Sequence, residues 1–422
     1  MKRAAPAREV AFIVIRRVFE RGAYADRALR AEAAGLDARD RALAMALAYG
    51  AVQRCATLDY VTQALAARPV GRLEPAVRAA LRLGMYQLLF LDGIPAHAAV
   101  NDSVGLVNGP GAKLVNAVLR RATREGRALL DELDDATPEG AAVKHSVPAW
   151  LAELWWRELG ADEARAVLAR VNEPGESALR VNTLVATPAE VKPSLPVATQ
   201  PADGIPEGLV FDGPFDAEDS ELWKAGAIMP QSRGSMLVAQ TLGPQPGERV
   251  LDLCAAPGAK STHIAQLLRD EGEVVAVERN RGRARALKAT CARMHASCVR
   301  VVVGDASEPR HDKFDRVLVD PPCSGLGTLQ SRPDVRWRAS PESISELAAL
   351  QRLVLQAGAT ATAPGGTLVY SVCTVSRAEG HEVIEGFLAE HGGFTLDSHV
   401  QLLPHRDLTD GFFIARLSRA SG

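Results

Sequence analysis

No run in this sequence approaches the roughly 18 uncharged apolar residues of a membrane span, so no spanning segment is expected. Cysteine is scarce: Cys55, Cys254, Cys291, Cys298, Cys323 and Cys373 are the only six, with no CxxC pair and no histidine at zinc spacing. That excludes a conventional zinc framework, leaves no metal assigned, and suits a reduced, cytoplasmic protein with free thiols. Met1-Lys2-Arg3-Ala4-Ala5-Pro6 leads straight into a helical pattern carrying Glu9, Arg16 and Arg17, so no secretory signal is expected. Internal repeats and low-complexity tracts are absent. So are the common phosphate-binding fingerprints. There is no GxGxxG, and the P-loop spacing fails where Ala259 separates Gly258 from Lys260.

A net charge of −2 hides an asymmetry. Residues 1–127 carry 20 Lys/Arg against 11 Asp/Glu, whereas the remainder carries 29 against 40. A basic module on an acidic body points to a polyanionic partner for the first part, although charge alone fits a solvated arginine-rich surface equally well. With 422 residues, the chain suits two or three domains.

Residues 1–130 read as all-helical. Leu81, Met85, Leu88 and Leu89 keep helical spacing after Glu74-Pro75, and Gly50 and Gly84 are small enough for helices to approach closely. After Asn108-Gly109-Pro110-Gly111, an apolar stripe of Leu114, Val115, Val118 and Leu119 leaves Lys113, Asn116, Arg120 and Arg124 along another face. That face suits phosphate contacts. Residues 131–144, with Asp131, Glu132, Asp134, Asp135 and Pro138, read as an acidic linker, and 145–235 as a small α+β subdomain. From 236 to 422 strands alternate with helices, at 249–254, 272–278, 299–303, 315–320 and 366–370. This alternation implies an α/β, doubly wound and mostly parallel sheet.

The chain is organised around Val317-Leu318-Val319-Asp320-Pro321-Pro322-Cys323-Ser324-Gly325. A buried β-branched run stops at a carboxylate, two prolines and a thiol, which places Asp320 and Cys323 on a stiff turn at a strand's carboxyl end. Thr367-Leu368-Val369-Tyr370-Ser371-Val372-Cys373 delivers a second thiol in the same manner. Upstream, Cys254, Ala255, Ala256, Pro257, Gly258, Ala259 and Lys260 form a small-residue turn between a strand and a helix start, where a ligand can approach the backbone. The next two strands end at Glu278, placed to accept ribose hydroxyls, and at Asp305, placed to accept an adenine amine. A small turn followed by two such acids implies a nucleoside-bearing cofactor without a phosphate chain, and S-adenosylmethionine fits. A thiolate adding to C6 of cytosine would turn C5 into a nucleophile for its methyl group, and a second group would then remove the C5 proton. Cys55, Cys291 and Cys298 read as inert small hydrophobes.

These stretches resemble the motifs of the Sun/Fmu family of RNA cytosine-C5 methyltransferases. The front end, through Leu81 to Leu88 and Ala112 to Arg121, resembles a NusB-type RNA-binding domain, and Asp410-Gly411-Phe412-Phe413 adds support. The resemblance implies a Rossmann-like S-adenosylmethionine domain and small-subunit (16S) ribosomal RNA as substrate. It also decides what spacing leaves open: Cys373 would attack C6 and Cys323 would assist release. Asp320 would bond the target base and line the cofactor pocket, with Lys260 positioning it. Arg332, Arg336, Trp337 and Arg338 follow the Cys323 turn and could hold RNA backbone or stack on a flipped-out base, with Trp337 equally suited to ordinary packing. Ala259 stands where the family has a second glycine, so its backbone should not need positive φ; Glu278 stands for the usual Asp. Two rivals remain open, a transfer-RNA methyltransferase and a NusB-like RNA-binding factor with a vestigial methylase body.

Overall fold

The computed structural model describes residues 6–213, 215–309 and 312–421. The chain forms two units, one of residues 1–174 with 329–339, the other of 175–328 with 340–422. Among the described residues no helix is long and apolar enough to cross a membrane.

The first unit is helical. Pro75 opens the helix Pro75–Phe90, whose Val77, Leu81 and Met85 are buried; proline suits the first turn because its missing N–H would have no partner there. Both glycines expected at close approaches lie at them. A Cβ on Gly50 would fall 1.9 Å from the Tyr86 ring, and one on Gly84 would fall 2.5 Å from Leu119. The helix Gly109–Asp131 buries Val115, Val118, Leu119 and Ala122 and leaves Lys113, Arg120 and Arg124 exposed, with Asn116 half-buried.

This unit is longer than the expected 1–130. The stretch 131–144 is no linker: Thr137 caps the helix Pro138–Lys144, and Ala141 and Ala142 are buried. Thr57 Oγ1 donates to Val143 O at 2.6 Å, tying that helix to the preceding ones. The helices Ala149–Leu159 and Ala161–Arg170, expected in the α+β subdomain, also belong here and bury Leu151, Trp155, Val167 and Leu168. Apolar faces that find cover decide the boundary, whatever the acidic content between them.

Residues 329–339 return to this unit and correct the reading of Arg336, which is fully buried. Its Nη1 donates to Ser146 O at 3.0 Å and Asn172 Oδ1 at 2.9 Å, and its Nη2 to Val171 O at 3.2 Å. A fully buried guanidinium with both terminal nitrogens on internal acceptors cannot reach a phosphate. Trp337 likewise packs and donates to Val52 O at 2.7 Å, and Arg338 lies over the Tyr24 ring at 3.8 Å. Arg332 is exposed.

The second unit holds two sheets. The smaller has strands β1 (Ala178–Val181), β2 (Thr199–Ala202), β3 (Ile205–Phe211) and β4 (Ile228–Pro230), all antiparallel, in the order β2-β3-β1-β4. The larger has β5 (Arg249–Leu253), β6 (Glu273–Glu278), β7 (Val299–Val303), β8 (Phe314–Val319), β9 (Thr362–Val372), β10 (Phe394–Leu402) and β11 (Phe412–Arg419), in the order β10-β11-β9-β8-β5-β6-β7. Strands β5 to β9 pair in parallel, as the alternation of segments implies; β10 and β11 add an antiparallel edge.

The central strands β5, β6 and β8 are largely apolar because both faces are covered. Leu251, Val275, Val317 and Leu368 face one core with Leu355 and Ile384; Val250, Val274, Leu318 and Val369 face the other with Val238 and Ile264. The chain leaves β5 towards β6 on one side and later returns to β8 on the other. The crevice between the carboxyl ends of β5 and β8 is therefore the switch point, where such sheets bind ligands.

Arg336→Ala would strand several buried carbonyls. It should lower unfolding free energy by roughly 3 kcal/mol or more, read from the urea midpoint of the full chain.

Candidate active site

At the end of β5 the chain turns through Cys254, held at φ +67°, and Ala255 N donates to Val277 O on β6 at 2.9 Å. Gly258 sits at φ +108°, and a Cβ there would lie 2.7 Å from Leu287. Only glycine meets both constraints. Gly258 caps the helix Ala259–Leu267, so Ala259 is its first helical residue and its backbone needs no positive φ. Beneath the turn, Asp252 is fully buried and accepts from Ser261 Oγ at 2.5 Å. Burial pushes its carboxyl up to about 7 despite that bond, and the nearby Asp320 charge adds to the rise.

Glu278 ends β6 with its carboxylate fixed from both sides. Asn280 N donates to Oε1 at 2.7 Å, and Arg283 Nε stands 3.4 Å from Oε2. Arg283 also donates to Ala256 O at 2.7 Å, so one side chain couples the turn to the acid. Asp305 follows β7, its Oδ1 accepting from Ser307 N at 2.9 Å and Ser307 Oγ at 2.7 Å. Those bonds hold it below the usual carboxylate range.

Opposite lies the thiol pair. Cys323 Sγ and Cys373 Sγ are 3.3 Å apart. Beside them Lys260 Nζ donates to Asp320 Oδ2 at 2.7 Å, and Ser371 Oγ donates to Oδ1 at 2.8 Å. Burial alone would lower the Lys260 ammonium, but Asp320, helped by the Cys373 sulfur, raises it, so Lys260 stays charged. Its hydrogen bond to Cys373, burial, and the charges of Glu379 and Asp320 all drive the Cys323 thiol well above its ordinary range. The Lys260 ammonium stands close to the Cys373 sulfur. Burial pushes Cys55, Cys254, Cys291 and Cys298 up to about 12, and they are inert thiols.

The structure thus brings Lys260, Asp320, Cys323 and Cys373 together, with the 254–260 turn and Glu278 around Cys254 and Asp305 at the next strand end. Lys113, Asn116, Arg120, Arg124 and Arg332 all lie in the helical unit. Sequence reasoning missed Ser371 and Arg283. Ser371 was within reach, because residues two apart on a strand share a face, and Ser371 and Cys373 are two apart. Arg283 had no local signal, since its partners come from two other strand ends.

Residues 239–418 match the model of the 16S rRNA methyltransferase RsmB/F family, and residues 5–124 match that of the NusB family. The chain is 37% identical over 449 residues to the probable ribosomal RNA small subunit methyltransferase B of Synechocystis, spanning 98% of this chain and 99% of that one. It is 36% identical to the ribosomal RNA small subunit methyltransferase B of Thermus thermophilus, with 99% of each chain covered. Among solved structures, that of PH0851 superposes with a TM-score of 0.83 at 27% identity, covering 99% of this chain and all of that one. Identity of this order along nearly the whole of both chains leaves no other assignment: the chain belongs to the RsmB/F family of 16S rRNA methyltransferases.

Proposed function

We propose that this methyltransferase acts on C5 of a cytosine in small-subunit ribosomal RNA, with Cys373 as nucleophile and Cys323 as the group that assists release. The observation that carries this reading is the pair of sulfurs 3.3 Å apart beside the Lys260–Asp320 ion pair. A lone catalytic thiol would not need a second one at that distance.

The cofactor is S-adenosylmethionine, and the donor set suits it. Gly258 leaves the turn open to a close ligand, Glu278 presents a fixed carboxylate for ribose hydroxyls, and Asp305 offers an acceptor for an adenine amine. The 254–260 turn and Asp320 would line the same pocket. When bound, S-adenosylmethionine supplies an electrophilic methyl group.

The chain's own residues do the rest. Asp320 accepts from the base amine, held in place by Lys260 and Ser371. The Cys373 sulfur bonds to C6, and the C5=C6 electron pair makes C5 nucleophilic. Forming that bond removes the Cys373 charge that had kept Cys323 protonated; the Cys323 proton then passes to solvent, and the resulting thiolate can act as a base. Once C5 carries the methyl group, the Cys323 sulfur takes the C5 proton, the C5=C6 bond reforms, and the C6–sulfur bond breaks to return the Cys373 thiolate. One proton is released overall. The target base must leave its stack to reach both sulfurs. Lys113, Asn116, Arg120, Arg124 and Arg332 are the proposed backbone contacts, with phosphates as their acceptors.

Bisulfite mapping of small-subunit ribosomal RNA should show one protected cytosine that becomes convertible when the gene is deleted; identical maps would remove the basis for this reading. In vitro, Cys323→Ala should accumulate a denaturation-resistant RNA–protein adduct, whereas Cys373→Ala should form none, and the opposite pattern would exchange the two roles. Gly258→Ala should weaken S-adenosylmethionine binding by about tenfold or more in calorimetry, from left-handed backbone strain together with the Leu287 clash.

A further inference from the structure

The two thiols come from separate loops, which backbone bonds join beyond Cys323. Gly327 N donates to Cys373 O at 3.0 Å, and Gly411 N donates to Gly327 O at 2.8 Å. There is no room for a side chain at this junction, since a Cβ on Gly327 would fall 1.9 Å from Gly411 O. These contacts hold the chain beyond Cys323 and the carbonyl of Cys373. Holding Pro322 and Ser324, on either side of Cys323, is a separate task.

That task falls to a buried carboxylate. Glu379, on the loop between β9 and the helix His381–Glu390, has no solvent exposure. It receives Ser324 N on Oε1 at 2.7 Å and Gln351 Nε2 on the same oxygen at 3.1 Å. Its Oε2 receives Thr374 Oγ1 at 3.1 Å and the Ser324 hydroxyl. Ser324 follows Cys323 directly, and Thr374 follows Cys373 directly. The two hydroxyls also meet each other at 2.9 Å. Gln351 extends the grip to the other side of Cys323 by donating to Pro322 O at 3.0 Å. Tyr370, just ahead of the second thiol, donates its hydroxyl to Glu379 O at 2.6 Å.

We propose that Glu379 is the positioning residue of the thiol pair, holding the loop behind each cysteine on one carboxylate so that Cys323 stays within proton-transfer reach of the ring on Cys373. This rests on the two-thiol reading and adds a residue to it. Neutral clamps cannot reproduce it easily: two oxygens receive four donors, which a carboxylate can do and an amide cannot. A displacement of about 1 Å at such a site costs roughly a hundredfold in rate. Glu379 has a second consequence, because its charge is one of those facing Cys323, together with Cys373 and Asp320, while Tyr370 packs close by. Removing it should ease ionisation of Cys323.

The test compares Glu379→Gln, Glu379→Ala and Cys323→Ala in the full chain, with RNA substrate and labelled S-adenosylmethionine. Single-turnover methyl transfer, steady-state turnover, and the denaturation-resistant adduct are followed separately. Glu379→Gln should retain single-turnover transfer within about threefold, lose turnover by roughly ten- to a hundredfold, and accumulate adduct as Cys323→Ala does. Its remaining release rate should reach its plateau at lower pH than in the wild type. Ser324→Ala combined with Thr374→Val, which removes donors from the opposite side, should reproduce the adduct even if Glu379→Ala does not fold. Wild-type turnover in Glu379→Gln overturns the inference. So does equal loss of transfer and release with no adduct, which would mark a purely structural residue. Absence of adduct in Cys323→Ala itself would bring down the two-thiol reading first.

Discussion

Two sulfurs separated by 3.3 Å cannot both carry a negative charge. That mutual exclusion is the constraint on which the rest of the site depends. The surroundings of the two are unequal: Glu379 and Asp320 face Cys323, while the Lys260 ammonium interacts with Cys373. In the proposed mechanism the two exchange roles on bond formation, because consuming the charge on one sulfur permits ionisation of the other.

Such an approach of two loops follows from the sheet. Strands β8 and β9 are parallel neighbours, with Val319 opposite Tyr370. Parallel pairing in register brings both carboxyl ends to one edge, four residues before Cys323 and three before Cys373. The β5 end lies on the other side of β8, with Leu253 opposite Val319, and brings the cofactor turn and Lys260 alongside. Three strand ends thus supply a thiol, a thiol with its carboxylate, and a cation. The antiparallel β11 contributes differently: Phe412 places its ring 5.5 Å from Lys260 Nζ, and Gly411 seats the 325–328 turn.

Much of this was legible because the signals are local. β-branched runs ending at Asp-Pro-Pro-Cys and at Ser-Val-Cys specify strand, stop and thiol within nine residues. The five parallel strands could be read from alternation alone, and the apolar stripe after Gly111 from helical spacing. What could not be read is what depends on partners distant in sequence. Arg332 and Arg336 look equivalent as two arginines after a catalytic turn. One is exposed, and the other lies buried among the carbonyls of Ser146 and Val171, more than 150 residues upstream. The acidic stretch after residue 130 misled for the same reason: its charge is visible, but the helices that cover Ala141 and Trp155 are not. Glu379 is the extreme case, a carboxylate whose four donors come from three separate elements.

The small antiparallel sheet places no residue at the thiols, yet it bears on their chemistry through one helix. On Ala259–Leu267, Lys260 faces the site while Thr262, His263 and Gln266 are buried behind it. Arg180 of β1 donates to Thr262 Oγ1 at 2.9 Å and to Gln266 Oε1 at 3.2 Å, and Glu207 of β3 pairs with His263. Gln240 closes the network on Glu207 at 2.6 Å. Burial, reinforced by the Arg180 charge, pushes His263 down to about 4, so it is neutral around pH 7 and the network does not change charge near neutrality. A helix held from behind by groups of constant charge gives Lys260 a fixed origin. With that origin fixed, the ion pair to Asp320 sets the position of the carboxylate that the proposed mechanism aims at the base.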